Sequence, residues 1–187
     1  MIGGEARVDT ALHYHFDLAA TLIELAGGKV PENWDGMSIA ESFRKGQSKG
    51  RDFLVLSQGA WSCQRSVRFK QGGDWLCMRS YHDGYHAFPD RMLFNLKEDP
   101  HEQHDLAEAR PEIVDHAMAL LDTWHAQMMR TATHPVDPMW TVMREGGAFH
   151  TRGHLPDYLK RLRETGRGNR ADELMRRHPD QYGQNAK

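Results

Sequence analysis

Residues 81–86 read YHDGYH, placing two imidazoles, a carboxylate and two phenols around Gly84. Imidazole is the side chain whose charge changes between about pH 5 and 8, and a neighbouring carboxylate orients its ring. Loops that concentrate such groups after a rigid strand are common binding sites. Tyr81, His82, Asp83, Tyr85 and His86 are therefore the first candidates for substrate contact, against a plainer role in packing or at an interface. His13 and His15 form an i, i+2 pair that can bind zinc, but no third ligand follows at a characteristic spacing, so they read as ordinary strand residues. His101 and His104 flank a turn and read as solvated, while His116 and His125 lie beside the apolar stripe of a helix. No metal ligand is assigned. No Ser/His/Asp grouping, phosphate loop or dinucleotide fingerprint is present.

The elements that must position these groups fall into three stretches. A strand is expected over residues 7–16. Asp17 then stands where a helix N-cap belongs, Leu18, Leu22 and Leu25 share a helical face, and Gly27-Gly28 stops the helix. A Pro/Gly loop over 31–36 leads to a short helix around 38–45. A β meander follows: a buried strand at 53–56, strands at 62–70 and 74–81 flanking Gly72-Gly73, and a further strand at 91–96. Pro111 fits a first helical position, and Ile113, Ala117, Leu121, Trp124 and Met128 form a stripe behind it. Beyond it lies an extended arm that turns at Gly146-Gly147 and packs Met139, Trp140 and Phe149. Two short helices follow, at 155–165 and 171–177. The fold class is α+β: a small antiparallel β-sheet packed against a long helix, with an N-terminal strand-helix and a helical C-terminal tail.

Hairpin register brings in one more candidate. With Gly72 and Gly73 as a two-residue loop, Phe69 pairs with Leu76, Val67 with Met78, Arg65 with Ser80 and Cys63 with His82. One face then carries Phe69, Val67, Leu76 and Met78 toward the long helix, with Arg65 and His82 at its far end. A guanidinium on a core-facing row is costly unless something satisfies it. Either Arg65 pairs with a structural carboxylate, or this end opens into a cleft where Arg65 and His82 meet an anionic substrate. The same register sends Cys63 and Cys77 to opposite faces, so two free thiols are expected. Free thiols fit a reducing compartment, which favours a cytoplasmic location only slightly.

Composition excludes some partners. The 187 residues carry 24 basic and 26 acidic side chains, so neither nucleic acid nor a membrane surface is an expected partner. No apolar run reaches the roughly 18 residues of a membrane span. Residues 1–4 show neither a charged leader nor an apolar stretch of the signal-peptide type.

Residues 92–107, MLFNLKEDPHEQHDLA, alternate apolar side chains and then break at Asp99-Pro100. The pattern LF-N-L-x-x-DP-x-E-x-x-DLA resembles the signature near the C-terminus of sulfatases, hydrolases of the alkaline-phosphatase superfamily. Residues 8–36 are similar to that family's strand, D-x-A-x-TL helix and loop, with Ala20 where a proline is usual. Residues 51–88 are similar to its RSVR hairpin. The resemblance divides the chain into residues 1–50, a strand-helix remnant of the preceding α/β core; 51–130, the C-terminal α+β subdomain; and 131–187, an arm with short helices. It implies a part of an enzyme that cleaves sulfate esters or sulfamates of a sulfated small molecule or sugar. The W-x-x-x-M helix, Trp124 to Met128, followed by the Asp137-Pro138 segment resembles the heparan N-sulfatase type. Arg65, His82, Asp83 and His86 would then border the cleft.

In that family a formylglycine, made from cysteine or serine in C-x-P-x-R, attacks sulfur. A divalent cation, commonly calcium, stabilises the charge on the sulfate oxygens. Cys63-Gln64-Arg65-Ser66-Val67 lacks the proline and the correctly spaced arginine, so neither cofactor and no catalytic residue is expected in these residues. The implied partners are a missing N-terminal core and, through the Trp/Met-rich tail, further copies of the chain. Two other readings stay open: the C-terminal part of a phosphonate or phosphodiester hydrolase of the same superfamily, and a non-enzymatic oligomerisation module. The purified 187-residue chain is expected to turn over no aryl sulfate, since positioning does not replace a nucleophile. Release of sulfate that survives rigorous repurification overturns this expectation.

Overall fold

The computed structural model describes residue 6, residues 8–46 and residues 49–182. The leader reading at residues 1–4 and the start of the expected first strand at Arg7 lie outside the described residues. The chain divides into two compact units, Met1–Leu54 and Val55–Lys187. Among the described residues, no helix is long and apolar enough to cross a membrane.

In the first unit the expected strand over 7–16 is replaced by irregular chain. Among its described residues only an isolated antiparallel bridge forms, Leu12 to Arg51. Helix α1 (Asp17–Leu25) begins at Asp17 itself, so Asp17 is the first helical residue and not the N-cap. Its side chain turns outward from the helix and organises the surrounding loops. The carboxylate is fully buried and accepts from Tyr14 N at 2.8 Å and Met37 N at 2.9 Å, while Arg51 closes on it as a fork. Burial alone would raise this carboxyl, but the Arg51 fork and the two amides outweigh it and hold the group below its ordinary range. One turn on, Thr21 Oγ1 donates to Asp17 O and accepts from Ile39 N, leading into α2 (Ala40–Lys45). The polar residues of α1 therefore face inward. Leu18 and Leu22, which the spacing marks as the core face, are instead 46% and 66% exposed.

The second unit holds a four-stranded sheet in chain order: β1 (Phe53–Gln58), β2 (Cys63–Lys70), β3 (Asp74–His82) and β4 (Arg91–Asn95). The β2–β3 turn has three loop residues, not two, so the register is one step from that expected. Lys70 pairs with Asp74, Phe69 with Trp75, Val67 with Cys77 and Arg65 with Arg79. Trp75 explains the change. Its indole donates to Gln71 O at 3.1 Å and lies where a Cβ on Gly73 would sit, while Gly72 takes a left-handed φ of 64°. The indole closes the turn and draws Gln71 out of the ladder. A bulge between Cys63 and Gln64 restores the Cys63–His82 pair.

Because side chains alternate along a strand, the one-step shift re-sorts both faces. Arg65, Val67 and Phe69 share a face with Trp75, Cys77, Arg79 and Tyr81. Leu76, Met78, Ser80 and His82 lie on the other, so Arg65 and His82 are on opposite faces. Cys63 and Cys77 are buried free thiols, and burial pushes the Cys77 thiol up to about 12.

After β4 the chain makes the turn of residues 95–107. Asn95 O accepts from Glu98 N and Asp99 N, and Asp99 Oδ2 accepts from His104 N. Asp105 Oδ1 then accepts from both Leu93 N and Ala107 N at 2.9 Å, returning the chain to β4. The acidic and amide side chains of this motif thus build a turn. It delivers α3 (Pro111–Thr131), which packs across β2 and buries Val114, Ala117, Met118 and Leu121. That row sits one residue to the side of part of the expected stripe, whose Met128 is 37% exposed.

The stretch expected as an extended arm contains α4 (Pro138–Arg144). Asp137 caps it through Met139 N, and Pro138 occupies its first turn. A 3-10 turn (Phe149–Thr151) then leads to α5 (Leu155–Glu164), α6 (Gly168–Arg177) and α7 (Pro179–Tyr182). Met139 is buried, but Trp140 and Phe149 are 50% and 82% exposed. Asp17→Ala is expected to destabilise the first unit by about 3–5 kcal/mol, because it strands a part-buried guanidinium. A urea titration checks this, and an unchanged midpoint overturns it.

Candidate functional site

The four candidate side chains separate into two places. Arg65, near the middle of the inner face, is committed to Asp137: Nη1 donates to Oδ2 at 2.6 Å and Nη2 to Oδ1 at 2.7 Å. Trp124 covers the guanidinium with a ring centroid 5.2 Å away, and Tyr81 lies at 6.0 Å. His125 Nε2 stands 3.0 Å from Asp137 Oδ2 without hydrogen-bonding geometry. Burial pushes the Asp137 carboxyl up, but Arg65 and the Met139 amide prevail and keep it below its ordinary range. Its stabilising contribution is complete above the ordinary carboxylate pKa and is lost as pH falls through the lowered value. A bidentate pair of this kind leaves Arg65 no need of an external anion.

His82 and Asp83 meet at the end of β3, in the loop that leads to β4. Gly84 is obligatory there: its φ is 63°, and a Cβ would stand 1.8 Å from Trp61 O. Tyr85 and Ala87 also take left-handed φ, 67° and 57°, which non-glycine residues do at a cost. The compensation comes from side chains. His82 Nδ1 accepts from Gly84 N at 3.1 Å, and Asp83 Oδ1 accepts from Tyr85 N at 2.9 Å. Tyr85 sends its ring into a cluster with Leu155, Leu159, Leu162 and Leu174, and its hydroxyl donates to Thr151 O at 2.7 Å.

The tail closes over this loop. His178 Nε2 lies 2.9 Å from Asp83 Oδ1, Arg177 donates to Phe88 O at 2.7 Å, and His150 Nε2 lies 3.2 Å from Gly84 O. Gly147 presses on the His82 ring so closely that a Cβ would come within 2.6 Å of it. The Gln181 amide spans His82 Nε2, at 3.1 Å, and the Tyr85 hydroxyl, at 2.5 Å. Since Gly84 donates to Nδ1, the single proton of neutral His82 sits on Nε2. A half-turn of the Gln181 amide then gives that N–H an acceptor and lets the Tyr85 hydroxyl accept.

Electrostatics follow from this closure. Burial first, then the neighbouring His178 ring, lowers His82 to about 4, so it is neutral near pH 7. Burial would raise Asp83, but His178 and the Tyr85 amide outweigh it and hold the carboxyl below its ordinary range. Burial and the Asp83 charge raise the Tyr85 hydroxyl to about 12. Both His82 nitrogens are thus engaged within the loop and the tail.

His86 alone of the four faces solvent. Its ring lies in a row with Trp61, His150 and Phe88: Trp61–His150 5.4 Å, His150–His86 6.2 Å and His86–Phe88 5.6 Å. His13 meets Asp9 at 3.5 Å. Among the described residues, no three His, Cys, Asp or Glu side chains gather as a metal site requires. Cys63 is buried, with its thiol raised by burial. Sequence reasoning missed Asp137, Arg177, His178 and Gln181. Only Asp137 left a local signal, its place before Pro138 as an N-cap.

Neither a protein-family profile nor a curated protein sequence matches the chain. Solved structures similar to it include a putative sulfatase, yidJ, from Bacteroides fragilis, 20% identical over 62% of this chain and 25% of that one, with a TM-score of 0.49. A second is a Bacteroides thetaiotaomicron protein from a locus for glycosaminoglycan metabolism, 21% identical over 62% of this chain and 25% of that one, TM-score 0.46. A third, solved with its substrate D-glucosamine-2-N,6-O-disulfate, is 17% identical over 62% of this chain and 24% of that one, TM-score 0.47. The chain spans about a quarter of the length of each.

Arg65→Ala is expected to lower unfolding free energy by about 3–5 kcal/mol, since it leaves Asp137 buried and unpaired. His86→Ala should stay within about 0.5 kcal/mol, as surface changes do. Equal effects in denaturant titrations would contradict this division.

Proposed function

We propose that the chain is the C-terminal part of a sulfatase-family hydrolase that cleaves sulfate esters or sulfamates, and that it shapes one edge of the substrate cleft. Residues 92–107 carry this reading. They match the family's LF-N-L-x-x-DP-x-E-x-x-DLA pattern, in family order behind the D-x-A-x-TL and RSVR segments. The turn geometry gives the pattern a physical reason: the side chains of Asn95, Asp99 and Asp105 accept from the backbone amides of Lys97, His104 and Leu93. The nucleophile and the cation would be supplied by polypeptide outside these 187 residues.

In this reading the candidates take unequal roles. His86 reaches outward and meets substrate. His82 and Asp83 act from behind it by holding the loop, and Arg65 acts by fixing the sheet to α4. The test is the gene extended upstream, expressed in a host that converts cysteine or serine to formylglycine. Turnover of an aryl sulfate above that of a phosphonate monoester is expected. His86→Ala should then reduce kcat/KM by about 1–3 kcal/mol without moving the melting temperature. An upstream sequence without C/S-x-P-x-R, or an enzyme inert toward sulfate esters, defeats the reading.

A further inference from the structure

The side chains that clasp the tail onto the loop at 82–87 include a buried imidazole whose hydrogen-bond pattern tolerates only its neutral form. We infer that this clasp is an acid-released latch: protonation of His82 undocks α6, α7 and the 3-10 turn from the loop while the sheet stays folded. The geometry is specific. Gly84 N–H points at His82 Nδ1 from 3.1 Å, and Gly147 packs against the ring so closely that a Cβ there would come within 2.6 Å of it. An added proton on Nδ1 sets two donors against each other in a buried site.

The neighbouring carboxylate compensates only in part. On the loop, Asp83 is the nearest carboxylate, but its Oδ1 serves His178 and Tyr85 N, and its Oδ2 lies 3.7 Å from Arg177. From α6, Arg177 adds positive charge and occupies Glu173 at 3.2 Å. From the end of α6, the His178 ring lies 4.6 Å from that of His82. From the 3-10 turn, His150 disfavours a charge on His82 further. His82 and Asp83 themselves line a cavity of about 260 Å³ with Tyr81, Phe88 and His178, and its other carboxylate, Asp90, is exposed to water. The Asp83 charge favours a protonated His82, but burial and the His178 ring outweigh it.

Strain adds to the effect. Tyr85 and Ala87 hold left-handed φ only because this network fixes them, so breaking it lets the loop relax. The sign follows from the depressed pKa. Undocked, the ring titrates near 6.5; docked, near 4. The latch is at full strength above the higher value, weakens as pH falls between the two, and loses nothing more below the lower one. Across that window the docking equilibrium changes by about two orders of magnitude. Asp83, with its carboxyl below its ordinary range, contributes its own loss only at still lower pH.

The test is NMR of the full chain from pH 7.5 to 4. Amide signals from residues 168–181 should move to undocked positions with a single-proton midpoint inside the window, coincident with titration of the His82 ring. Signals of β2, β3 and β4 should hold. His82→Asn keeps an acceptor for Gly84 N–H, so its tail should stay docked throughout. A His82 ring that titrates while the tail remains docked overturns the inference, and that readout needs no variant. So does a tail that undocks in His82→Asn with the unaltered pH profile, which would assign the event to His178 or Asp83.

Discussion

The Arg65–Asp137 fork is the constraint on which the second unit depends. Neither charge can be left alone in its buried position, because water is replaced only by the partner. β2 therefore fixes where Asp137 must stand, and Asp137 is also the N-cap of α4 through Met139 N. One carboxylate thus sets both the position and the direction of a helix. From the end of α4 the chain has few residues before Gly147 meets His82 and Thr151 meets Tyr85. Each later contact inherits its place from that first pairing. Trp124 and Tyr81 flank the guanidinium, which raises the cost of breaking the fork.

The loop at 82–87 answers a different problem. It must leave the sheet at β3, make a tight excursion past Trp61 O, and return in time for β4. Gly84 is the residue that fits beside that carbonyl, and two further residues take left-handed backbone to complete the excursion. Such conformations persist where the surroundings over-determine them. Here the surroundings are the tail: a Tyr85 ring among leucines, a carboxylate held by His178, an amide across His82. Loop and tail each lack a reason to hold their shape without the other.

Much of this was legible in advance, and the failures have definite causes. Strand ends in the meander fell within a residue or two of those observed, since β-branched and aromatic runs bounded by Gly and Asp are strong signals. Register was not legible, because Gly72-Gly73 permits a two- or a three-residue loop. The indole of Trp75 decides between them by bonding to Gln71 O, a side-chain event outside any periodicity. The leucine row of α1 misled because a buried aspartate and threonine, not the leucines, face inward. The stretch around Pro138 read as an extended arm, when Pro138 starts a helix behind an Asp cap. The partners of His82 and Asp83 lie almost a hundred residues away in sequence, with no spacing to announce them.

Arg65 shows why a residue type is a weaker guide than its satisfaction. As a charge on an apolar row it asked for an anion, and a substrate was one answer. The fold supplies Asp137 instead, at both nitrogens of the fork. The same test applied to YHDGYH divides it. His82, Asp83 and Tyr85 have every strong hydrogen bond but one spoken for, the exception being Asp83 Oδ2, which faces Arg177 at longer range. His86 keeps its ring toward solvent beside Trp61 and His150. A motif that looks like a single reactive cluster in sequence is therefore two things in space. An inner set holds the backbone in a strained shape, and an outer imidazole is presented by that shape.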